Sequence, residues 1–174
     1  MCNFEIKMSV KKHTGHPHLT GEHRWGDIVQ LILFFLFVIV YIIDSFFLEY
    51  SIFLTEYVSN FIRIPVAVAM FVLAAILAMG GMKKVFGTGR SGPGVITDGV
   101  FRIVRHPIYL GAILFYLTAI ILSLSIISFI LWTGIVIFYF LIAKYEEKLL
   151  TEEFGEEYRQ YKKSTGMLVP KLFK

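Results

Sequence analysis

The sequence predicts an all-α integral membrane bundle of four to five transmembrane helices closed by a C-terminal cytoplasmic amphipathic helix. Three observations carry this expectation. Hydrophobic residues make up 56% of the 174-residue chain against 17% charged residues. The mean hydropathy is +0.69, and the apolar residues gather into four long runs. So short a chain has too little polar surface to coat four such helices in water.

Residues 1–27 form a polar tail. It carries His13, His16, His18 and His23 in a pattern that could bind a metal if the segment folded back. Pro17 and the nearby glycines make it a loose tail instead, and no carboxylate or cysteine completes a closed site, so no metal is expected. Cys2 stands alone, which excludes a disulfide framework.

The first apolar run, Ile28–Leu48, is broken only by Gln30, Asp44 and Ser45. It is longer than the core of a signal peptide and lacks a small-residue cleavage site, so it reads as a span. Glu49–Asn60 is half polar and reads as an interfacial turn, a re-entrant piece, or the source of a fifth helix. Phe61–Gly80 is the second run, and each of the first two is about 30 Å long as a helix, enough to cross a hydrocarbon core. A glycine-rich loop is expected to follow Gly80-Gly81. It includes the spacing G-x-G-x-x-G at Gly87, Gly89 and Gly92. An apolar helix rather than a strand precedes it and Pro93 follows, so it is not a dinucleotide fingerprint.

Ile108–Leu122 and Ile126–Ala143 are separated by only Ser123-Leu124-Ser125, which makes them an antiparallel hairpin. The rest, from Lys144 on, alternates charges with Tyr145, Leu149, Phe154, Tyr158 and Tyr161 near helical spacing, an amphipathic element outside the hydrocarbon. The chain thus divides into a tail (1–27), N-terminal membrane helices (28–86) and a C-terminal subdomain of loop, hairpin and amphipathic segment (87–174).

Lys and Arg number four in 1–27, one in 44–63, five in 82–106, none in 123–125 and seven in 144–174. That alternation places both termini, the glycine loop and the basic tail on the cytoplasmic side. The basic segments flank spans and suit anionic headgroups, so no nucleic-acid partner is implied.

Three polar groups then converge at one membrane boundary: the loop 87–99, Arg105-His106-Pro107, and Glu146-Glu147. The hairpin brings the start of one helix beside the end of the other. Pro107 suits a first helical turn, where its missing N–H costs nothing. His106 adjoins the N-cap, where backbone N–H groups and the helix dipole favour an anion. Arg105 adds a fork of donors suited to a carboxylate. A ligand bearing both charges would fit; a snorkelling arginine beside a structural cap is the alternative.

The stretches "GVFRIVRHPIYLG" and "EEKLLTEEFGEEYRQYKK", with the late Pro170, resemble the isoprenylcysteine carboxyl methyltransferase family. That family belongs to a wider set of membrane methyltransferases that includes phospholipid methyltransferases. The resemblance covers roughly residues 93–170. It implies methyl transfer from S-adenosylmethionine, with the cofactor contacted by Pro93, Gly94, Val95, Ile96, Phe101, His106, Pro107, Ile108, Tyr109 and Glu146. Phe101 stands where relatives often have tyrosine. The arginine that relatives carry ahead of the glutamates has no counterpart, Ile142-Ala143-Lys144 standing there.

The implied acceptor is lipophilic, a prenylated cysteine carboxylate first and a phospholipid or other small lipid second. Transfer from a sulfonium to a carboxylate joins opposite charges, so removing water favours it and no base is needed. Arg105 or Arg102 would orient the carboxylate, and Glu147 would serve as base for an amine acceptor. Two rivals remain: an NADPH-dependent sterol-type reductase, which shares the arginine-histidine-proline start, and a non-enzymatic scaffold or transporter component. The second would need paired polar residues in mid-membrane, for which Asp44 is the candidate.

Overall fold

The computed structural model describes residues 26–87 and 94–171. The histidine-bearing tail and Pro93 lie outside the described residues. Within them the chain is helical: α1 (Gly26–Ile42), a π-helical turn (Ile43–Leu48), a 3-10 turn (Phe53–Glu56), α2 (Asn60–Phe86), a 3-10 turn (Gly99–Arg102), α3 (Pro107–Ser123) and α4 (Ile126–Ser164). Gly26–Leu48, Asn60–Phe86 and Ile126–Ser164 are long and apolar enough to cross a membrane, and Pro107–Ser123 is a shorter apolar helix. Their outward faces stay apolar, as at Ile32, Phe35 and Leu141, which suits lipid rather than water. The fold is an integral membrane helical bundle.

The segment 49–60 supplies no fifth helix. Its only helical piece is the four-residue turn Phe53–Glu56, too short to span anything. Two other boundaries differ from the apolar pattern. α2 runs six residues past Gly80, because Lys83 and Lys84 end the apolar run without ending the backbone ladder. α4 continues from the last span straight into the charged segment as one helix as far as Gly155, whose φ of 55° and ψ of −121° turn the chain. The amphipathic element thus begins as an extension of the span and continues beyond the Gly155 kink as a further helix to Ser164.

The length of α4 positions the site. Glu146 lies twenty residues beyond Ile126, about 30 Å along the axis and so one hydrocarbon thickness away. α4 crosses the core and delivers its carboxylates to the far boundary.

At the other end, a buried polar knot closes the bundle. Asp44, in the π turn, accepts from Ser51 Oγ and Ser125 Oγ, both at 2.5 Å, and from the Ser51 backbone N–H at 3.3 Å. Ser125 also caps α4, accepting from Ser128 N–H at 3.0 Å. Arg63, in the first turn of α2, donates to the Leu122 carbonyl at 2.5 Å and so fastens α2 to the end of α3. Asp44 thus joins a helix end to a loop.

Between the two ends, Phe37, Ile113, Tyr116, Ile120, Ile135 and Tyr139 form the core shared by α1, α3 and α4. α2 meets α3 backbone to backbone. A Cβ added at Gly111 would lie 2.9 Å from the Ala74 carbonyl oxygen and 2.9 Å from the Ala78 nitrogen. Small residues allow this approach, and dispersion and close contact replace the hydrophobic drive that lipid removes.

Gly111→Val is therefore expected to destabilise the protein by about 1–3 kcal/mol, read as a lower melting temperature in detergent. Gly134→Ala, where an added Cβ meets nothing within 4 Å, should not lower it. An unshifted melt for Gly111→Val would contradict the close α2–α3 approach.

Candidate functional site

The site forms where α3 begins, α4 leaves the apolar run, and the chain after α4 turns back. Pro107 occupies the first turn of α3 and His106 its N-cap position, with φ −122° and ψ 65° and no side-chain cap bond. The residues before them run beside the C-terminal segment. Val104 bridges Gly166 in parallel. Arg105 N–H donates to the Gly166 carbonyl at 2.9 Å, and His106 N–H to the Met167 carbonyl at 3.2 Å.

The Arg105 side chain is only 8% exposed and is committed to partners within the protein. Its Nε donates to Glu147 Oε1 at 2.6 Å, with Nη2 also 2.6 Å from that oxygen. Its Nη1 donates to the carbonyls of Lys162, at 3.2 Å, and Thr165. Lys162 Nζ lies 3.3 Å from Glu147 Oε2. Glu147 lies beyond the apolar stretch that crosses the bilayer. Its burial would raise its pKa, but contacts with His106, Arg105 and Lys162 and the charge of Arg105 outweigh that and hold the carboxyl well below the usual range. Glu147 is thus an ionised anchor and a poor proton acceptor.

Glu146 faces another way. Tyr109 hydroxyl donates to its Oε1, and His106 Nδ1 lies 3.5 Å from its Oε2. The His106 and Tyr109 rings lie parallel, 2° apart in plane with centroids at 5.6 Å, and Tyr139 lies 5.2 Å beyond Tyr109. His106 Nε2 is buried without a hydrogen-bond partner among the described residues. Glu147 Oε1, at 3.6 Å, is near enough for an electrostatic contact but too far for a bond.

The remaining residues named from sequence fall around this group. Val95 N–H reaches Glu157 Oε1 at 3.4 Å, which ties the half-buried stretch 94–96 to the last turns of α4. Phe101 is buried, and its carbonyl accepts from Tyr161 hydroxyl at 2.5 Å. Ile108 and Pro107 pack over Gly81 of α2, where a Cβ would meet Ile108 Cγ1 at 2.6 Å. The geometry therefore gathers Arg105, His106, Tyr109, Glu146 and Glu147 directly and sets Pro107 and Ile108 against α2.

Lys162, Thr165 and Met167 were not foreseen as part of this group. All three act through backbone carbonyls, which leave no trace in residue type, and Lys162 acts through its ammonium as well. Tyr158 and Tyr161 were seen only as an aromatic stripe. Burial raises the pKa of both phenols, so both remain protonated donors.

The profile of the phospholipid methyltransferase family matches residues 62–157, which contain all of α3, the tandem glutamates and most of α2. The chain belongs to this family. Within it, the chain is 40% identical over 77 residues to methanethiol S-methyltransferase of Pseudomonas deceptionensis, covering 44% of this chain and 28% of that protein. It is 35% identical over 98 residues to methanethiol S-methyltransferase 2 of Bradyrhizobium diazoefficiens, covering 53% of this chain and 37% of that protein. The matched stretches thus span well under half the length of these relatives. Membership of this methyltransferase superfamily agrees with the resemblance carried by the Arg-His-Pro and tandem-glutamate motifs.

The buried ion pair should hold the C-terminal segment in place. Arg105→Gln is expected to raise amide deuterium uptake across residues 165–171 at once, and to lower stability by about 3 kcal/mol, since Glu147 is left with Lys162 alone. Arg105→Lys should not restore protection, because an ammonium cannot span Glu147 and two carbonyls with a planar fork. Unchanged exchange in Arg105→Gln would refute the clamp.

Proposed function

We propose that the protein transfers a methyl group from S-adenosylmethionine to a lipophilic acceptor at the cytoplasmic boundary of the membrane. The observation that carries this reading is the His106–Tyr109–Glu146 group, set one hydrocarbon thickness along α4 in a chain of the phospholipid methyltransferase family. The donor set fits the cofactor's chemistry. Glu146 offers a carboxylate to an ammonium or a ribose diol, and the first turn of α3 offers backbone N–H groups to a carboxylate. The unmatched Nε2 of His106 is a further buried polar atom in the same group. When bound, the cofactor supplies an electrophilic methyl on a cationic sulfonium, which becomes a neutral thioether as the bond to the acceptor forms.

The protein's own contribution is orientation and the exclusion of water. Arg105 and Glu147 act as positioning residues: they hold His106 against Glu146 and do not meet the acceptor. Arg102, exposed at the end of its 3-10 turn, is the guanidinium we assign to an anionic acceptor. Glu147 is unsuited as a base, so an amine acceptor would have to deliver its proton to Glu146.

The acceptor is a prenylated cysteine carboxylate in our first reading. A small thiol is the second, favoured by the activity named for the two relatives. The carboxylate is already an anion, and the thiol becomes one by giving its proton to Glu146; desolvation favours the reaction of either anion with a sulfonium.

Calorimetry on the purified protein should show S-adenosylmethionine binding, weakened at least tenfold in His106→Ala and Glu146→Gln. Methyl incorporation into farnesylated N-acetylcysteine, methanethiol and phosphatidylethanolamine then assigns the acceptor. Binding of NADPH in place of S-adenosylmethionine, or of neither, would sink the methyltransferase reading.

A further inference from the structure

A groove of about 770 Å³ runs along α4 on the side away from Tyr109. It exists because Gly155 turns the chain, so that Arg159 and Lys162 stand across from Lys144 and Lys148. Its chemistry changes along its length. Phe140 and Met167 supply apolar walls, and four cations share the lining with two carboxylates, Glu147 and Glu152; Arg159 also meets the exposed Glu156 at 3.4 Å. Glu147 is matched from behind by Arg105 and from the groove side by Lys162, at 3.3 Å, which leaves Lys144, Lys148 and Arg159 for a ligand. The Lys148–Glu152 contact is 4.0 Å long and exposed, and such pairs hold their charges weakly. Lys144 has no ion pair among the described residues.

The position of these groups relative to the bilayer identifies the occupant. Phe140 belongs to the apolar run, whereas Lys144 and Lys148 stand about 6 Å and 12 Å further along the same helix. The headgroup layer begins at the edge of the hydrocarbon and is roughly 5–8 Å deep on each side. The groove therefore passes from acyl-chain depth into the phosphate layer within two helical turns, and its positive charge begins where lipid phosphates lie. A soluble phosphate would use the cations and leave the walls at Phe140 and Met167 uncovered. A zwitterionic lipid would bring its own ammonium into a basic rim.

We propose that this groove binds one anionic membrane phospholipid, its phosphate held by Lys144, Lys148 and Arg159 and an acyl chain along Phe140. The lipid is a bound partner of the fold and not the methyl acceptor, since the groove lies behind the wall formed by Glu147. The proposal does not depend on the methyltransferase reading, because lipid binding is measured without any turnover.

The test uses the delipidated full chain in a nonionic detergent, with phosphatidylglycerol, phosphatidylcholine or inorganic phosphate added. Retained lipid is counted by native mass spectrometry and the melting temperature is followed in parallel. One phosphatidylglycerol per chain should be retained, several-fold over phosphatidylcholine, with a raised melting temperature that millimolar inorganic phosphate does not reproduce. A lysine near anionic lipid is worth roughly fivefold in affinity, so Lys144→Gln with Lys148→Gln should cost about twentyfold. Both side chains are exposed, so the double variant should melt like the parent in phosphatidylcholine alone. Lys83→Gln, on α2 and outside the groove, should retain phosphatidylglycerol like the parent. Equal retention of the two lipids, an equal loss in Lys83→Gln, or the same shift from inorganic phosphate would each overturn the proposal.

Discussion

The buried contact between Arg105 and Glu147 is the constraint on which the rest of the site depends. It joins three stretches far apart in sequence: the residues before α3, the end of the membrane-crossing part of α4, and the chain that returns after Lys162. Two ions taken out of water lose several kcal/mol of hydration each, so such a pair is stable only when its other donors and acceptors are also satisfied. Here they are. Lys162 takes the second oxygen of Glu147 and two carbonyls take the remaining arginine nitrogen. Because the partners include backbone carbonyls, the contact sets the path of the C-terminal segment as well as the rotamers of two side chains. That path in turn brings the Gly166 and Met167 carbonyls to the N–H groups of Arg105 and His106.

The opposite end of the bundle solves the same problem with different groups. Asp44 is as deeply buried as Glu147, but it is surrounded by serine hydroxyls rather than cations. The result is a bundle pinned by charged and polar groups at both ends, with Phe37, Ile135 and Tyr139 filling the space between. A membrane core offers unpaired backbone and side-chain polar groups no water, so networks at the boundaries are where charge is best tolerated. The close α2–α3 approach at Gly111 then lets Gly81 lie under Pro107 and Ile108, so the start of α3 rests on helix backbone rather than on mobile side chains.

Much of this was legible in the sequence. Run length alone gave the four helices, because the bilayer sets the number of residues a span needs, and the three-residue link at Ser123–Ser125 made the hairpin that pairs His106 with the tandem glutamates. The extensions of α2 and α4 were not legible from hydropathy. Lys83, Lys84 and the Glu-Lys stretch after Ala143 are good helix formers that end an apolar run without ending a helix. The π turn at Ile43–Leu48 was hidden for a related reason: the sequence marks Asp44 as polar but does not say that the helix widens to bury it. The return of the tail was hidden most completely, since Arg105 finds Lys162 and Thr165 through their carbonyls and any residue type supplies a carbonyl.

The tandem glutamates show what adjacency on a helix accomplishes. Consecutive residues point about 100° apart, so Glu146 and Glu147 cannot serve the same wall. Glu147 turns to fixed cations and becomes part of the frame, whereas Glu146 turns to a phenol and an imidazole. His106 stands between them, with one ring nitrogen 3.5 Å from Glu146 and the other 3.6 Å from Glu147. An anchor held by guanidinium and ammonium has little left to give a ligand. A carboxylate held by Tyr109 and His106 can exchange those partners for a ligand's ammonium or hydroxyls at smaller cost. In the proposed reaction the pair therefore divides its work: one carboxylate keeps the imidazole and the tail in register, and its neighbour, a hundred degrees around the same turn, is the one that meets the cofactor.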